Sequence, residues 1–189
     1  MTDAIRELKI RAEILHKRIS AHDSRALKRL RVLAAFRRSS DENLAEVAAT
    51  IRRHDCLAVI AAELGFPNWT QARAALAGEG ESGDFGTLLY PASVRGHINQ
   101  WYVRYEEAAL GREACHGYLL AYKRQFLVVD RYFIESLGLD PDDTDWSEIG
   151  FDWVRPASLA ARTRLYDKLI LGRSENELKD GQKGSHQGI

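Results

Sequence analysis

Apolar residues recur every three or four positions through the first 77 residues, and this spacing predicts a series of amphipathic helices. The apolar stripe of the first helix consists of Ile5, Leu8, Ala12, Leu15 and Ile19. Most of the lysine and arginine side chains between them fall off this stripe. We therefore expect the stripe to pack on another helix while the cations face water.

Capping signals divide the next residues into a second and a third helix. Asp23 or Ser24 is suited to cap the second helix, because a side-chain oxygen there accepts a hydrogen bond from an otherwise unpaired backbone N–H. Its inward residues are Leu27, Leu30 and Ala34. Ser39 and Glu42 have the spacing of a capping box, which predicts the start of the third helix. The apolar face of that helix consists of Leu44, Val47, Ala48 and Ile51.

The following residues, 54–77, predict a helical hairpin. Asp55 is suited to cap the first of its two helices, and Gly65 supplies the left-handed conformation that ends it. Asn68 is suited to cap the second helix. The buried sides of the two helices consist of Leu57, Ile60, Ala61, Leu64, Ala72, Ala75 and Leu76.

The run LAVIAAELGFPNW, from Leu57 to Trp69, resembles a short helical module of bacterial proteins. That module is found ahead of ankyrin repeats and in some glyoxalase-superfamily proteins. The resemblance extends over roughly the first 77 residues and is specific around Gly65, Phe66 and Trp69. No ankyrin signature follows, and the module has no catalytic residues, so the resemblance implies a helical fold without an activity.

A glycine-rich stretch at residues 78–86 contains four glycines and almost nothing apolar, which is typical of a linker or a long loop. The charge balance changes sign there, from 14 Lys+Arg against 9 Asp+Glu in residues 1–78 to 13 against 18 in residues 79–189. The predicted organisation is a helical module at 1–77, this linker, a mostly helical domain at 87–172 and a disordered tail at 173–189.

In the second part, Pro91-Ala92-Ser93 predicts a helix entrance and Gly111 the end of that helix. The apolar face between them consists of Ile98, Trp101, Tyr102, Tyr105, Ala108 and Ala109. From residue 117 to 129 helical and extended periods compete, and the aromatic and β-branched content favours a short β element. Asp130 is suited to cap a helix that runs to Leu137.

A last helix ends at Gly172, with Leu159, Leu165, Tyr166, Leu169 and Ile170 inward. The predicted fold class is therefore mainly α: a small N-terminal helical bundle followed by a mostly helical C-terminal part with a short β element.

Composition indicates a folded chain, 45% hydrophobic and 29% charged. Its apolar runs are too short to span a bilayer, and the charges among residues 1–10 predict no secretory signal. Two cysteines, Cys56 and Cys115, are too few for a disulfide framework and fit a reducing compartment such as the cytoplasm. Neither stands at zinc-site spacing, so we expect both to be buried structural residues.

The acidic turn at residues 140–146 invites comparison with a calcium loop. Asp145 stands where an EF-hand needs glycine and Phe151 where it needs glutamate, so a helix N-terminus whose carboxylates suit its dipole is the better interpretation. No nucleophile elbow, phosphate-binding loop, dinucleotide fingerprint or zinc-protease helix occurs in the chain. The sequence therefore predicts no catalytic residue, metal or cofactor.

Two sets of residues are candidates for binding. The first forms a ligand pocket if its members converge: His97, Trp101, Tyr105, His116, Tyr118, Lys123, Arg124, Asp152, Trp153 and Arg155. In the alternative, the aromatic rings belong to the core and the charges pair on the surface. The second set is a basic surface: Lys17, Arg18, Arg25, Lys28, Arg29, Arg31, Arg37 and Arg38.

The basic surface suits an acidic protein, the acidic second part of this chain, or the phosphates of a nucleic acid. The hairpin around Gly65 makes a poor helix-turn-helix, because Arg73 is the only basic side chain of its second helix. The sequence favours a non-enzymatic interaction protein. Nucleic-acid binding through the basic surface and a small-molecule or enzymatic pocket in the second part are the alternatives.

Overall fold

The computed structural model describes residues 2–79 and 83–183, with side chains as far as Gly172. The first part consists of helices α1 (Asp3–Ser20), α2 (Ser24–Arg29), α3 (Asp41–Val47), α4 (Arg53–Glu63) and α5 (Trp69–Ala77). The second part consists of strand β1 (Gln100–Tyr102), helix α6 (Tyr105–Cys115), strands β2 (Tyr118–Tyr122) and β3 (Gln125–Val129), and helices α7 (Arg131–Ser136), α8 (Thr144–Glu148) and α9 (Leu159–Lys183). The described residues are thus mainly helical with a small antiparallel sheet, which confirms the predicted fold class.

Local signals in the first part predict most of what is observed there. All five residues of the α1 stripe are buried, and α1 packs against α4. The Asp23 carboxylate caps α2 by accepting hydrogen bonds from two backbone N–H groups. At the α4–α5 corner Gly65 adopts φ +80°, and Asn68 Oδ1 accepts a hydrogen bond from the Gln71 N–H at 2.9 Å.

Three details of this part differ from the prediction. Ser40, not Ser39, caps α3, since its Oγ accepts a hydrogen bond from the Asn43 N–H at 3.2 Å. Asp55 is the third residue of α4 rather than its cap, and its carboxylate accepts from the backbone N–H of the cap residue at 2.8 Å. Ala34 is exposed rather than inward, because α2 has already ended and short 3-10 turns follow it.

Residues 83–87 connect the α4–α5 corner to the sheet. Gly86 adopts φ +65°, and a Cβ at this position would lie 2.5 Å from the Leu64 carbonyl oxygen. The Lys123 N–H donates to the Gly86 carbonyl at 2.7 Å, and the Phe85 N–H donates to the Lys123 carbonyl at 3.0 Å. The last residues of the predicted linker therefore lie between the end of α4 and the β2–β3 turn. The division into domains stays a prediction.

The sheet has the antiparallel order β1-β3-β2, and its β2–β3 hairpin confirms the extended structure predicted between residues 117 and 129. The predicted long helix between residues 91 and 111 is wrong in its first half. Trp101 instead lies opposite Leu127 in the β1–β3 pair, and Ile98 is fully exposed. Helix α6 begins only at Tyr105, and it continues past Gly111 as far as Cys115.

Helix α9 packs along α1 and joins the two parts of the chain. The Ala4 N–H donates to Asp167 Oδ1 at 2.6 Å, and Arg11 Nη2 donates to the Ile170 carbonyl at 2.9 Å. Buried residues of both parts form one continuous hydrophobic core that extends from Ala4 to Ile170. None of the helices in the described ranges is both long and apolar enough to cross a lipid bilayer.

Both ends of α9 differ from the prediction. Leu159, expected to point inward, is 53% exposed. The helix also passes through Gly172 and reaches Lys183, because one glycine inside a helix costs only about 1 kcal/mol relative to alanine. The last residues of the predicted disordered tail, 184–189, lie outside the described residues.

Candidate functional site

A cavity of about 670 Å³ lies where α5, α6, β3 and the N-terminal end of α9 meet. This volume is in the range of known small-molecule sites. The described residues that line it are Ala75, Gly78, Gly83, Phe85, Tyr105, Phe126, Val154, Arg155, Pro156, Leu159, Arg162 and Tyr166. Most of them are apolar or aromatic, and two are arginines.

Arg162 is the unusual member of this lining. Its side chain is only 7% exposed, yet it forms no ion pair with the acidic side chains of the described residues. Its Nη1 donates to the Trp153 carbonyl at 3.1 Å, and its buried Nε has no hydrogen-bond partner. Buried arginines are normally paired, because an unpaired buried charge is costly. Arg162 therefore brings to the wall of the cavity a cation that has no acidic partner among the described residues and that carries an unpaired buried Nε.

The helical period places Arg162 there. It stands three residues before Leu165 and four before Tyr166, so it shares the inward face of α9 with these two buried side chains. Arg162 is not among the predicted pocket residues, although a basic residue on an otherwise apolar inward stripe is a signal visible in the sequence.

The N-terminus of α9 adds positive potential at the same place. Ser158 Oγ accepts a hydrogen bond from the Ala161 N–H at 3.2 Å, and the Ser158 carbonyl accepts from the Arg162 N–H at 3.2 Å. Arg162 therefore lies in the first turn of a 25-residue helix, where the helix dipole disfavours a cation and favours an anion. The dipole and the guanidinium both attract negative charge.

Asp152 holds in place the segment that contributes Val154, Arg155 and Pro156 to the lining of the cavity. This segment lies beside β2, where the Trp153 N–H donates to the Leu119 carbonyl at 2.9 Å. Asp152 Oδ1 accepts hydrogen bonds from the backbone N–H groups of Val154 and Arg155, at 2.8 and 2.9 Å. Its Oδ2 accepts from the Tyr105 hydroxyl at 2.5 Å. Both oxygens of the carboxylate are thus engaged in structural hydrogen bonds.

Tyr105 and Arg155 stack on each other in the lining of the cavity. The Arg155 guanidinium carbon lies 3.8 Å from the centroid of the Tyr105 ring, which is a cation–π contact. Arg155 is exposed, and its Nη2 lies 3.6 Å from Glu106 Oε1. Burial and the hydrogen bond to Asp152 raise the pKa of Tyr105 to about 12. The Tyr105 hydroxyl therefore remains a protonated donor at neutral pH and cannot act as a base.

Apolar side chains complete the lining. The Phe126 ring packs edge-on against Tyr105, with 6.0 Å between centroids. Leu159, which the sequence pattern predicts in the core, contributes apolar surface to the cavity instead. The burial of Tyr166 raises the pKa of its hydroxyl, so this group is also protonated at neutral pH. A ligand entering the cavity would meet apolar surface on several sides and the Arg162 guanidinium.

Only part of the predicted ligand pocket converges on this cavity. Tyr105 and Arg155 line it, Asp152 supports them, and the Trp153 carbonyl binds Arg162. The structure places the other predicted residues elsewhere: His97 against Ser136, Trp101 against Tyr90 and Tyr122, Tyr118 in the core with its hydroxyl on the Pro141 carbonyl, His116 at the end of α6, and Lys123 and Arg124 in the β2–β3 turn. The lining residues missed from the sequence include Phe85, Phe126, Arg162 and Tyr166.

In the described part of the chain, half of the predicted basic surface is paired with acids of the N-terminal helices. The pairs are Lys17–Glu13, Lys28–Asp41, Arg29–Glu63 and Arg31–Asp41. The other members, Arg18, Arg25, Arg37 and Arg38, are exposed. Because the paired acids reduce the charge that this surface presents, these contacts add no support for an acidic protein or a nucleic acid as partner.

The acidic turn belongs to a structural ion-pair network. Asp143 caps α8, and the 4%-exposed Asp145 accepts hydrogen bonds from Arg164 and Lys168 on α9, at 2.8 and 2.6 Å for Arg164 Nε and Lys168 Nζ. Burial raises the pKa of Asp145, but these two cations together outweigh that effect and hold its pKa below the ordinary value. The network joins α8 to α9 away from the cavity.

The two cysteines differ in environment. Cys56 is buried as predicted, and burial raises the pKa of its thiol to about 11, which makes it unreactive. The same prediction for Cys115 is wrong, because that residue is exposed at the end of α6. Among the described residues, no three His, Cys, Asp or Glu side chains are grouped closely enough to hold a metal ion.

No family model, curated protein or solved structure matches this chain. The resemblance of residues 57–69 to a bacterial helical module therefore stays a prediction.

Proposed function

We propose that this chain is a binding protein for a small organic anion, which occupies the cavity and contacts Arg162. The observation that carries the proposal is the environment of that side chain. Arg162 is only 7% exposed, it lines the cavity, and its buried Nε has no hydrogen-bond partner.

The energetics favour a ligand that carries negative charge. A buried donor without a partner costs about 1–3 kcal/mol, and more when the group is charged. The position of Arg162 in the first turn of α9 adds an unfavourable interaction with the helix dipole. An anion beside the guanidinium would compensate its buried charge and offset the interaction with the helix dipole, and the lining is already formed, so little binding energy is lost in ordering it.

The chemistry of the lining favours binding over catalysis. The described lining residues include no histidine, cysteine, serine or lysine that could serve as nucleophile or base. The pKa of Tyr105, at about 12, keeps its hydroxyl protonated, and Asp152 uses both oxygens in hydrogen bonds. The groups that face a ligand are therefore suited to holding it.

Titration with 8-anilinonaphthalene-1-sulfonate tests this proposal, since the probe combines an anionic group with an apolar body and fluoresces when bound in an apolar site. We expect saturable binding of one probe per chain to the wild type. Arg162→Met should lose most of this binding. Arg164→Met is the matched control on the same helix, because Arg164 pairs with Asp145 and Glu148 and does not line the cavity. It should bind the probe like the wild type.

A second measurement separates specific binding from loosened packing, because the same probe also binds partly unfolded proteins. Near-ultraviolet circular dichroism reports the packing of Trp146 and Trp153, which are fully buried. Each variant must retain the wild-type spectrum. Equal probe binding by the wild type and by a well-packed Arg162→Met variant would contradict the proposal.

A further inference from the structure

We infer that the ligand class of this cavity is a monocarboxylate with an apolar body. The inference rests on the proposed function and adds to it the number of charges, the geometry of the anionic group and the nature of the rest of the molecule.

The charges around the cavity leave one cation to be neutralised. Arg155 has Glu106 as an ion-pair partner at 3.6 Å. The Asp152 carboxylate is stabilised by two backbone N–H groups and the Tyr105 hydroxyl. Arg162 is thus the cation of the described lining that has no compensating group. A single negative charge balances it, whereas a dianion would bring a second charge out of water without a partner.

The geometry of Arg162 favours a carboxylate. Since Nη1 already donates to the Trp153 carbonyl and Nε is buried without a hydrogen-bond partner, Nη2 is the guanidinium nitrogen that remains for a ligand. A carboxylate accepts a charge-assisted hydrogen bond from such a donor with one oxygen, and its compact planar group brings only one further oxygen into the cavity. A phosphate would carry further oxygens into a lining that consists mostly of apolar side chains.

The remainder of the lining favours an apolar body. Phe85 and Phe126 supply aromatic surface, and Val154, Pro156 and Leu159 supply aliphatic surface. Every CH₂-sized group that leaves water on this surface adds to the affinity through the hydrophobic effect. A carboxylate on an aromatic ring and a carboxylate on an alkyl chain share the required chemistry.

Displacement of 8-anilinonaphthalene-1-sulfonate by four compounds tests the inference. The compounds are 2-naphthoate, its neutral isostere 2-naphthamide, 2-naphthyl phosphate and octanoate. We expect 2-naphthoate to bind the wild type at least about tenfold more tightly than the amide, because one hydrogen bond to a charged group is worth at least that factor. It should also bind more tightly than the phosphate. Octanoate tests whether an alkyl body binds as well as an aromatic one. Displacement of the probe by either carboxylate, if it depends on Arg162, supports the carboxylate class.

Variants separate charge from geometry. The affinity of Arg162→Met for 2-naphthoate should fall to about its affinity for the amide. Its affinity for the amide should differ from that of the wild type by less than about threefold, as a double-mutant comparison requires. Arg162→Lys keeps the charge without the planar fork and should give an intermediate affinity. Arg164→Met should leave all four affinities unchanged.

The result distinguishes this inference from the proposed function. If the probe binds with dependence on Arg162 but 2-naphthamide or 2-naphthyl phosphate competes as well as 2-naphthoate, the carboxylate class is wrong and the anion site stands. Failure of both carboxylates to displace a bound probe has the same meaning. If probe binding does not depend on Arg162, the inference and the proposed function are both wrong.

Discussion

Replacing Arg162 with methionine tests whether this arginine serves a ligand or the fold. Methionine keeps most of the length and the apolar part of the side chain, and it removes the charge and the five N–H donors. If Arg162 were a structural residue with satisfied donors, its removal would resemble the breaking of a buried ion pair, which costs about 3–5 kcal/mol. The contacts that it makes predict a much smaller change.

The expected magnitude follows from two opposing contributions. The variant loses one charge-assisted hydrogen bond, from Nη1 to the Trp153 carbonyl, which is worth about 1.5–3 kcal/mol. It also removes a buried donor without a partner, which costs about 1–3 kcal/mol, and a cation in an unfavourable position near the N-terminus of α9, which costs about 0.3–1 kcal/mol. These contributions nearly cancel. We expect the free energy of unfolding without ligand to change by less than about 1 kcal/mol.

Urea denaturation followed by tryptophan fluorescence measures this change. With a typical dependence on urea, a change of 1 kcal/mol moves the midpoint by about 0.5 M. Arg164→Met should lower the midpoint by more than Arg162→Met does, since it removes one of the two cations that Asp145 contacts. A loss of about 3 kcal/mol or more in Arg162→Met would contradict this expectation, because the arginine would then hold the fold together.

Three further predictions concern the rest of the fold. Gly86→Ala should lower the free energy of unfolding, measured by urea denaturation, by at least about 2 kcal/mol. The φ of +65° at this position disfavours a Cβ, and that atom would lie 2.5 Å from a carbonyl oxygen. Gly96→Ala, where the added Cβ meets open space, should cost less than about 1 kcal/mol. Asp145→Asn should make the melting temperature depend less steeply on pH in the acidic range. Burial raises the pKa of Asp145, but Arg164 and Lys168 together hold that pKa below the ordinary 3.8. The ionised Asp145 therefore stabilises the wild type above pH 3.8, and this stabilisation is lost as the pH falls further. Burial raises the pKa of Tyr105 from 10.0 to about 12. The protonated hydroxyl therefore stabilises the fold below pH 10, and this stabilisation is lost toward pH 12. Tyr105→Phe should remove that alkaline loss of stability, as measured by thermal unfolding at several pH values. If the melting temperature of Asp145→Asn depends on acidic pH as the wild type does, or that of Tyr105→Phe falls at alkaline pH as the wild type does, the corresponding assignment is wrong.

Several features of this chain were predictable because short stretches of sequence determine them. The α1 stripe from Ile5 to Ile19 requires only the helical period, and every member is buried. The corner at Gly65 requires a residue that tolerates positive φ, and the start of α7 requires the Asp130 side chain to accept from the Phe133 N–H at 2.9 Å. Periodicity and capping act over a few residues, so they can be recognised without knowing what packs against them.

Strand β1 shows where that local information ends. Its apolar residues fit a helical face by spacing, but Trp101 is extended because β3, some 25 residues further along, supplies its hydrogen-bonding partner. Leu159 fits an inward position by period and is half exposed, because the neighbouring elements leave a cavity there instead of covering it. In both cases tertiary contacts outweigh a local preference.

The cavity itself could be seen only in the tertiary structure. Ala75, Phe126 and Arg162 come from a helix of the first part, a strand and the last helix, and no spacing in the chain relates them. The sequence indicates that Arg162 shares a helix face with Leu165 and Tyr166. Whether a buried cation finds an acid, a carbonyl or an open space depends on which distant segments fold against that face, and here they supply one carbonyl and a cavity.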